Sequence, residues 1–177
     1  MSLSHLPKID LHLHLEGATP PALLRDIARQ NRIDLSGLFD AAGQYRFAGA
    51  DGLQRAYQAA CAAFRGPQDY HRLTLAALER AAQDGVIYCE TLISPDHCGG
   101  CDLAAWRDHL AAIQDAGRQA EREMGLTPRF VAICQRHLGP EAARQTALCA
   151  AETAGEGLVG FGLTGGVPLL VLVFAVL

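Results

Sequence analysis

The stretch Ile9-Asp10-Leu11-His12-Leu13-His14-Leu15-Glu16-Gly17 decides how the rest of the chain is read. Apolar residues alternate here with Asp, His and Glu, and that period of two belongs to a β-strand. Residues two apart on a strand point the same way, about 6.5 Å apart. Two imidazoles at that spacing can swing onto one metal ion, at Zn–N distances of about 2.0–2.1 Å. On this reading Glu16 continues the face of His12 and His14, while Leu11, Leu13 and Leu15 make the other. Gly17 then lets the backbone turn sharply away. His12 and His14 are therefore candidate metal ligands at the C-terminal end of a strand.

Outward from that strand, Thr19-Pro20-Pro21 opens a helix with Thr19 as N-cap and Asn31 as its stop. A short helical turn is expected around Leu35–Phe39, and a loop from Gly43 to Gly52. Leu53, Ala56, Tyr57, Ala60, Cys61 and Phe64 keep helical spacing until Gly66-Pro67 breaks it. Tyr70, Leu73, Thr74, Ala77, Leu78 and Ala81 form the next helix, which ends at Asp84-Gly85. Val86 to Ile93 is a β-rich run closed by Ser94-Pro95. Asp102 caps a helix carrying Trp106, Leu110 and Ile113, which Gly125 stops. Arg129–Cys134 is a third strand, Pro140 starts a helix that finishes at Gly155, and Leu158–Leu163 is a fourth strand.

Strands separated by helices imply parallel βα units, and the later strands are the near-continuous apolar runs of a sheet covered by helices. The fold class is α/β: the N-terminal half, about four βα units, of a (β/α)8 barrel, with extra helices between strands 1 and 2. Barrel function gathers where strands end and βα loops begin. His12, His14, Glu16, Glu90–Ser94, Cys134–His137 and Gly162–Gly166 all fall there.

The 177 residues suit one domain with a real core. Lys and Arg number 15 against 19 Asp and Glu, a net charge of −4 with no basic block, which argues against nucleic acid as a partner. Met1–Lys8 has no apolar signal region and six cysteines lie scattered, as expected of a cytoplasmic protein with free thiols. Cys98-Gly-Gly-Cys101 beside His97 has no second cysteine pair near it and reads as a loop feature rather than a zinc site. After Glu156 no charge appears, and the apolar run Leu169–Leu177 falls short of the ~20 residues that span a bilayer, so no membrane anchor is expected. The expected division is a partial barrel over 1–166 and an apolar tail over 167–177, a break of the kind left by a chain that stops or changes frame in mid-domain.

Pro7-Lys8-Ile9-Asp10-Leu11-His12-Leu13-His14-Leu15-Glu16-Gly17-Ala18 resembles the opening of the adenosine deaminase branch of the metal-dependent hydrolases. Gly85–Glu90 with Ser94-Pro95, Cys134-Gln135-Arg136-His137 and Gly160–Gly165 continue the resemblance in order, over residues 5 to about 166. It implies a zinc barrel that hydrolyses adenosine and 2′-deoxyadenosine to inosine and ammonia. His12 and His14 would be metal ligands. His14, Glu16 and Gly165 would touch the purine nucleoside, Glu16 at the ribose 5′-hydroxyl and Gly165 through its backbone N–H. Tyr57, Phe64 or the Tyr45–Phe47 loop would supply the lid. After Gly165 the family pattern has an acidic pair where this chain has Gly166-Val167-Pro168, and the later general acid and orienting His and Asp have no match. The resemblance therefore implies a deaminase lineage in a chain that does not turn over substrate alone. An adenine or other aminopurine deaminase, or a non-catalytic fragment associating through open sheet edges, are the alternatives.

Overall fold

The computed structural model describes residues 6–35, 37–46 and 49–165, with backbone alone at 50, 51 and 174–176. Its elements run β1 (Lys8–His14), α1 (Pro21–Gln30), α2 (Gly49–Ala63), α3 (Pro67–Gln83), β2 (Val86–Ile93), α4 (Leu103–Met124), β3 (Thr127–Gln135), α5 (Gly139–Glu152), β4 (Leu158–Thr164) and β5 (Phe174–Val176). Short 3-10 turns follow β1 at Glu16–Ala18 and β3 at Arg136–Leu138. The sheet order is β1-β2-β3-β4-β5. The first four strands are parallel, and β5 pairs antiparallel with β4 across Gly160–Gly162.

The expected parallel βα order is present. One sheet edge differs from expectation: residues 166–173 and 177 lie outside the described residues, but the backbone of Phe174–Val176 covers the edge that β4 was expected to leave open. Among the described residues β1 pairs with β2 alone and is a true edge.

Strand alternation sorts the sheet into two faces. Cys89, Ile93, Phe130 and Ala132 pack among the helices, while Leu92, Val131 and Ile133 cluster on the opposite face. The main core joins Trp106, Tyr70, Leu73, Ile113 and Leu158, all essentially inaccessible. Each such side chain contributes about 1.5–3 kcal/mol of transfer free energy. Trp106 is buried without loss because its Nε1–H donates to Thr153 Oγ1 at 2.9 Å. Asp102 caps α4 by accepting from the Ala105 N–H at 2.9 Å, and Gly125 ends that helix in the left-handed region at φ 69°.

Three local expectations need correction. Thr19 is not an N-cap: Pro20 holds that position of α1, and the Thr19 hydroxyl donates back to the Glu16 carbonyl. The described part of 35–39 is not helical. Asp40 accepts from the Gln44 N–H through its side chain and bonds the Gln44 carbonyl through its backbone, folding a tight loop that pairs Phe39 with Tyr45. The loop expected up to Gly52 ends early, since α2 begins at Gly49.

Candidate active site

β1 delivers its two histidines together. The His12 and His14 rings lie edge to face with centroids 5.2 Å apart, at the C-terminal end of the strand. Burial and the nearby His12 ring hold the pKa of His14 below the ordinary histidine value, with Glu16 opposing. That favours the neutral imidazole, the form that ligates metals. The donor chemistry fits zinc, but zinc usually takes three or four protein ligands. Among the described residues no group of three His, Cys, Asp or Glu is placed to hold a metal ion.

Glu16 departs from the strand face on which the alternation placed it. β1 ends at His14, and the chain tightens at Leu15 into the 3-10 turn Glu16–Ala18, so the period of two lapses. Leu15 and Glu16 are both buried, whereas Leu11 is 58% exposed. The Glu16 carboxylate accepts hydrogen bonds from the Tyr57 and Tyr70 hydroxyls, each at 3.1 Å. His97 Nδ1 stands 3.5 Å from its Oε1. Burial alone would raise the Glu16 pKa, but His97, the Tyr57 hydroxyl and its own backbone bring it below the ordinary 4.5. It is an ionised carboxylate locked among protein donors.

Above it lies a cavity of about 770 Å³. Its walls include His14 from β1, Leu53, Gln54, Tyr57 and Gln58 from α2, Ser94 and His97 after β2, Ile133 and Gln135 from β3, and Thr164 and Gly165 at the end of β4. Glu16 does not line it; that residue borders a separate void of about 60 Å³ with Tyr45, Leu53 and Tyr57. No Lys, Arg, Asp or Glu is among the described residues of the large cavity's wall. Gly165 sits at φ 109°, where a Cβ would come within 3.2 Å of the Arg136 nitrogen. The main chain there approaches the cavity as only glycine allows.

Of the aromatic residues considered as a lid, Tyr57 alone among the described ones lines this cavity. Phe64 is core, packed on Tyr70, and the Tyr45 hydroxyl donates to the Thr19 carbonyl. Phe47 lies outside the described residues. His137 is a second wall residue. Cys98 is buried and Cys101 meets the Thr146 hydroxyl at 3.4 Å. Burial pushes both thiols up in pKa, the opposite of metal-ready or redox-active sulfur.

Sequence reasoning located the sheet end but missed how His97 and Gln135 meet. Gln135 Nε2 lies 2.8 Å from His97 Nε2, 3.4 Å from Asp96 Oδ2 and 3.5 Å from Ser94 Oγ. Burial works against a proton on His97, but Cys61 and Glu16 outweigh it and raise its pKa to about 10, so the ring is held as an imidazolium beside the Glu16 carboxylate.

A parallel βα sheet with paired histidines at the mouth of its first strand has the architecture of part of a (β/α) barrel, with its polar side chains gathered where strands end. The adenosine deaminase family model matches residues 7–167, and the chain belongs to that family. It is 36% identical over 162 residues to an adenine deaminase of Agrobacterium fabrum, covering 92% of this chain and 49% of that protein. In three dimensions it resembles an adenine deaminase from Arthrobacter aurescens, with TM-score 0.76 and 25% identity over 90% of this chain and 49% of that one. A Burkholderia ambifaria amidohydrolase solved with bound zinc shares the fold at TM-score 0.76 and 23% identity, over 91% of this chain and 44% of that one. The chain thus spans about half the length of the curated relatives it matches, and its architecture is that of the N-terminal half of their barrel. The relatives' names support purine deamination as the lineage's chemistry and do not single out adenosine.

Proposed function

We propose that this chain is the metal-ligand and base-binding half of a hydrolase that converts adenine and water to hypoxanthine and ammonia. The observation that carries the reading is a cavity beside His14 with no Lys, Arg, Asp or Glu on its described walls, while the Glu16 carboxylate beneath it is already committed to Tyr57, Tyr70 and His97. A phosphate would find no Lys or Arg on the described walls, and the one protonated histidine there, His97, already faces the Glu16 carboxylate, which argues against a nucleotide. A ribose hydroxyl would have to displace Tyr57 or Tyr70 from Glu16, so the role at the 5′-hydroxyl expected for that residue is not the one we favour. A small uncharged heterocycle needs neither partner. The names of the relatives agree with this choice over adenosine.

The chemistry a zinc ion supplies when bound at His12 and His14 is acidification of water. The chain's own side chains do the rest that falls to this half. The lowered pKa of His14 keeps its nitrogen free of a proton, Gly165 admits the base close to the main chain, and Tyr57 closes the α2 side. No carboxyl group is among the described wall residues, so the proton donor to the ring and the third metal ligand are not assigned to them.

Calorimetric titration of the purified chain with adenine, adenosine and AMP tests the reading. Adenine should bind at least about tenfold more tightly than either of the others, a difference of ~1.4 kcal/mol. Tighter binding of adenosine or AMP would overturn it. In parallel, His12→Ala and His14→Ala should each lower the zinc retained after dialysis.

A further inference from the structure

Resting on the reading of His12 and His14 as zinc ligands, we infer that Asp10 is their positioning residue: its carboxylate holds the bulge in β1 that turns both rings towards the cavity. The pairing of β1 with β2 is not continuous. Ile9 lies beside Tyr88 and Asp10 beside Cys89, whereas Leu13 lies beside Thr91 and His14 beside Leu92. Leu11 and His12 therefore stand together opposite Glu90. Two residues against one make a β-bulge, which re-aims side chains at sheet edges and barrel rims.

The bulge decides which way the imidazoles face. Neighbours at one level of a parallel pair project to the same side of the sheet. Cys89 and Ile93 pack among the helices, and the buried Thr91 between them has its hydroxyl 3.5 Å from Cys89 Sγ. Had the register of Ile9 and Asp10 run on, His12 would fall beside Thr91 and His14 beside Ile93, both turned to the helices. A slip of one residue sends every side chain to the other face. With the extra residue, His14 falls beside Leu92, whose face carries Ile133 of the cavity wall.

What holds the bulge is local. The His12 N–H donates to Asp10 Oδ1 at 3.1 Å, the bond that aspartate and asparagine side chains make to the backbone two residues on. A bulge disrupts the regular ladder, and the carboxylate supplies a bond there. Among the described residues β1 has no second neighbouring strand to fix its register from the other side. Asp10 thus does for the histidine pair what outer hydrogen bonds do for single metal-ligating histidines, where their loss costs about 10–100-fold in metal affinity.

Two readouts on the full chain test this. The first is the nuclear Overhauser effect between the ring protons of His14 and Tyr57, whose ring centroids lie 6.3 Å apart. The second is zinc affinity by competition with a chelator. Asp10→Asn keeps the acceptor and should preserve both. Asp10→Ala and the strand-favouring Asp10→Val remove it, and each should lose the ring contact and at least about tenfold in zinc affinity. A folded Ala or Val variant that keeps the contact and binds zinc like the wild type would overturn the inference. So would an Asp10→Asn as weak as Asp10→Ala, since charge rather than the bond would then be the cause. A wild type without the ring contact would overturn it before any variant is made. A wild type that keeps the contact but takes up no zinc would overturn the metal-ligand reading instead, and the ring contact in the variants would then decide the role of Asp10.

Discussion

At the scale of single residues, Glu16 carries the most electrostatic consequence. A carboxylate this buried is tolerated because Tyr57, Tyr70 and His97 surround it. Its pKa in the folded state is depressed below 4.5, so the stability it contributes is fully present above that pH and drains away as pH falls through the folded value. Glu16→Gln should therefore cost about 1–3 kcal/mol at pH 7, in urea unfolding. The gap to wild type should narrow as pH falls from 4.5 through the depressed folded value, below which the wild-type carboxyl is itself neutral; a gap independent of pH would refute the assignment. The sequence showed His12 and His14 sharing a face, because the alternation from Ile9 to His14 leaves no other strand reading. It did not show Glu16 turning inward. Alternation informs only while the strand lasts, and the strand ends two residues earlier, when Leu15 and Glu16 bury themselves beneath α2 and α3. The neighbours of Gln135 were equally invisible, since Ser94 and Asp96 lie about forty positions away and meet it only through parallel pairing of β2 with β3.

Among the elements, α4 is the clearest case of local chemistry fixing a boundary. Asp102 satisfies the Ala105 N–H at one end and Gly125 accepts a left-handed turn at the other. Asp102→Ala should lower stability by about 1 kcal/mol, and Asp102→Asn should recover most of it, both read from the urea midpoint. Both ends of this helix were legible because cap and stop act within four residues. The turn at 35–45 was not. Leu35 and Leu38 have helical spacing, but Asp40 captures the Gln44 N–H and Phe39 stacks on Tyr45, so a side-chain bond and a ring contact outweigh weak propensity. Thr19 misled in a similar way: its hydroxyl serves the 3-10 turn before it rather than the helix after it.

For the molecule as a whole, the exposed edge is the governing feature. β1 presents an unpaired side among the described residues, with Ile9 and Leu11 more than half exposed. Such edges template pairing with another chain, and a lysine is the usual means of blunting one. We expect concentration-dependent self-association in sedimentation velocity, reduced in Leu11→Lys; a monomer at every concentration would refute this. The long excursion from Leu15 to Gly85, carrying α1, α2 and α3, has a separate consequence. β2, β3 and β4 are joined by single helical crossovers, whereas β1 must wait for that entire segment to be brought round before it can dock on β2. Distant partners are met late, because the entropy of the intervening loop is spent before any contact repays it. The imidazole pair is thus carried by the strand with the farthest to travel, so metal capture reports the completed assembly rather than an early, partly ordered one.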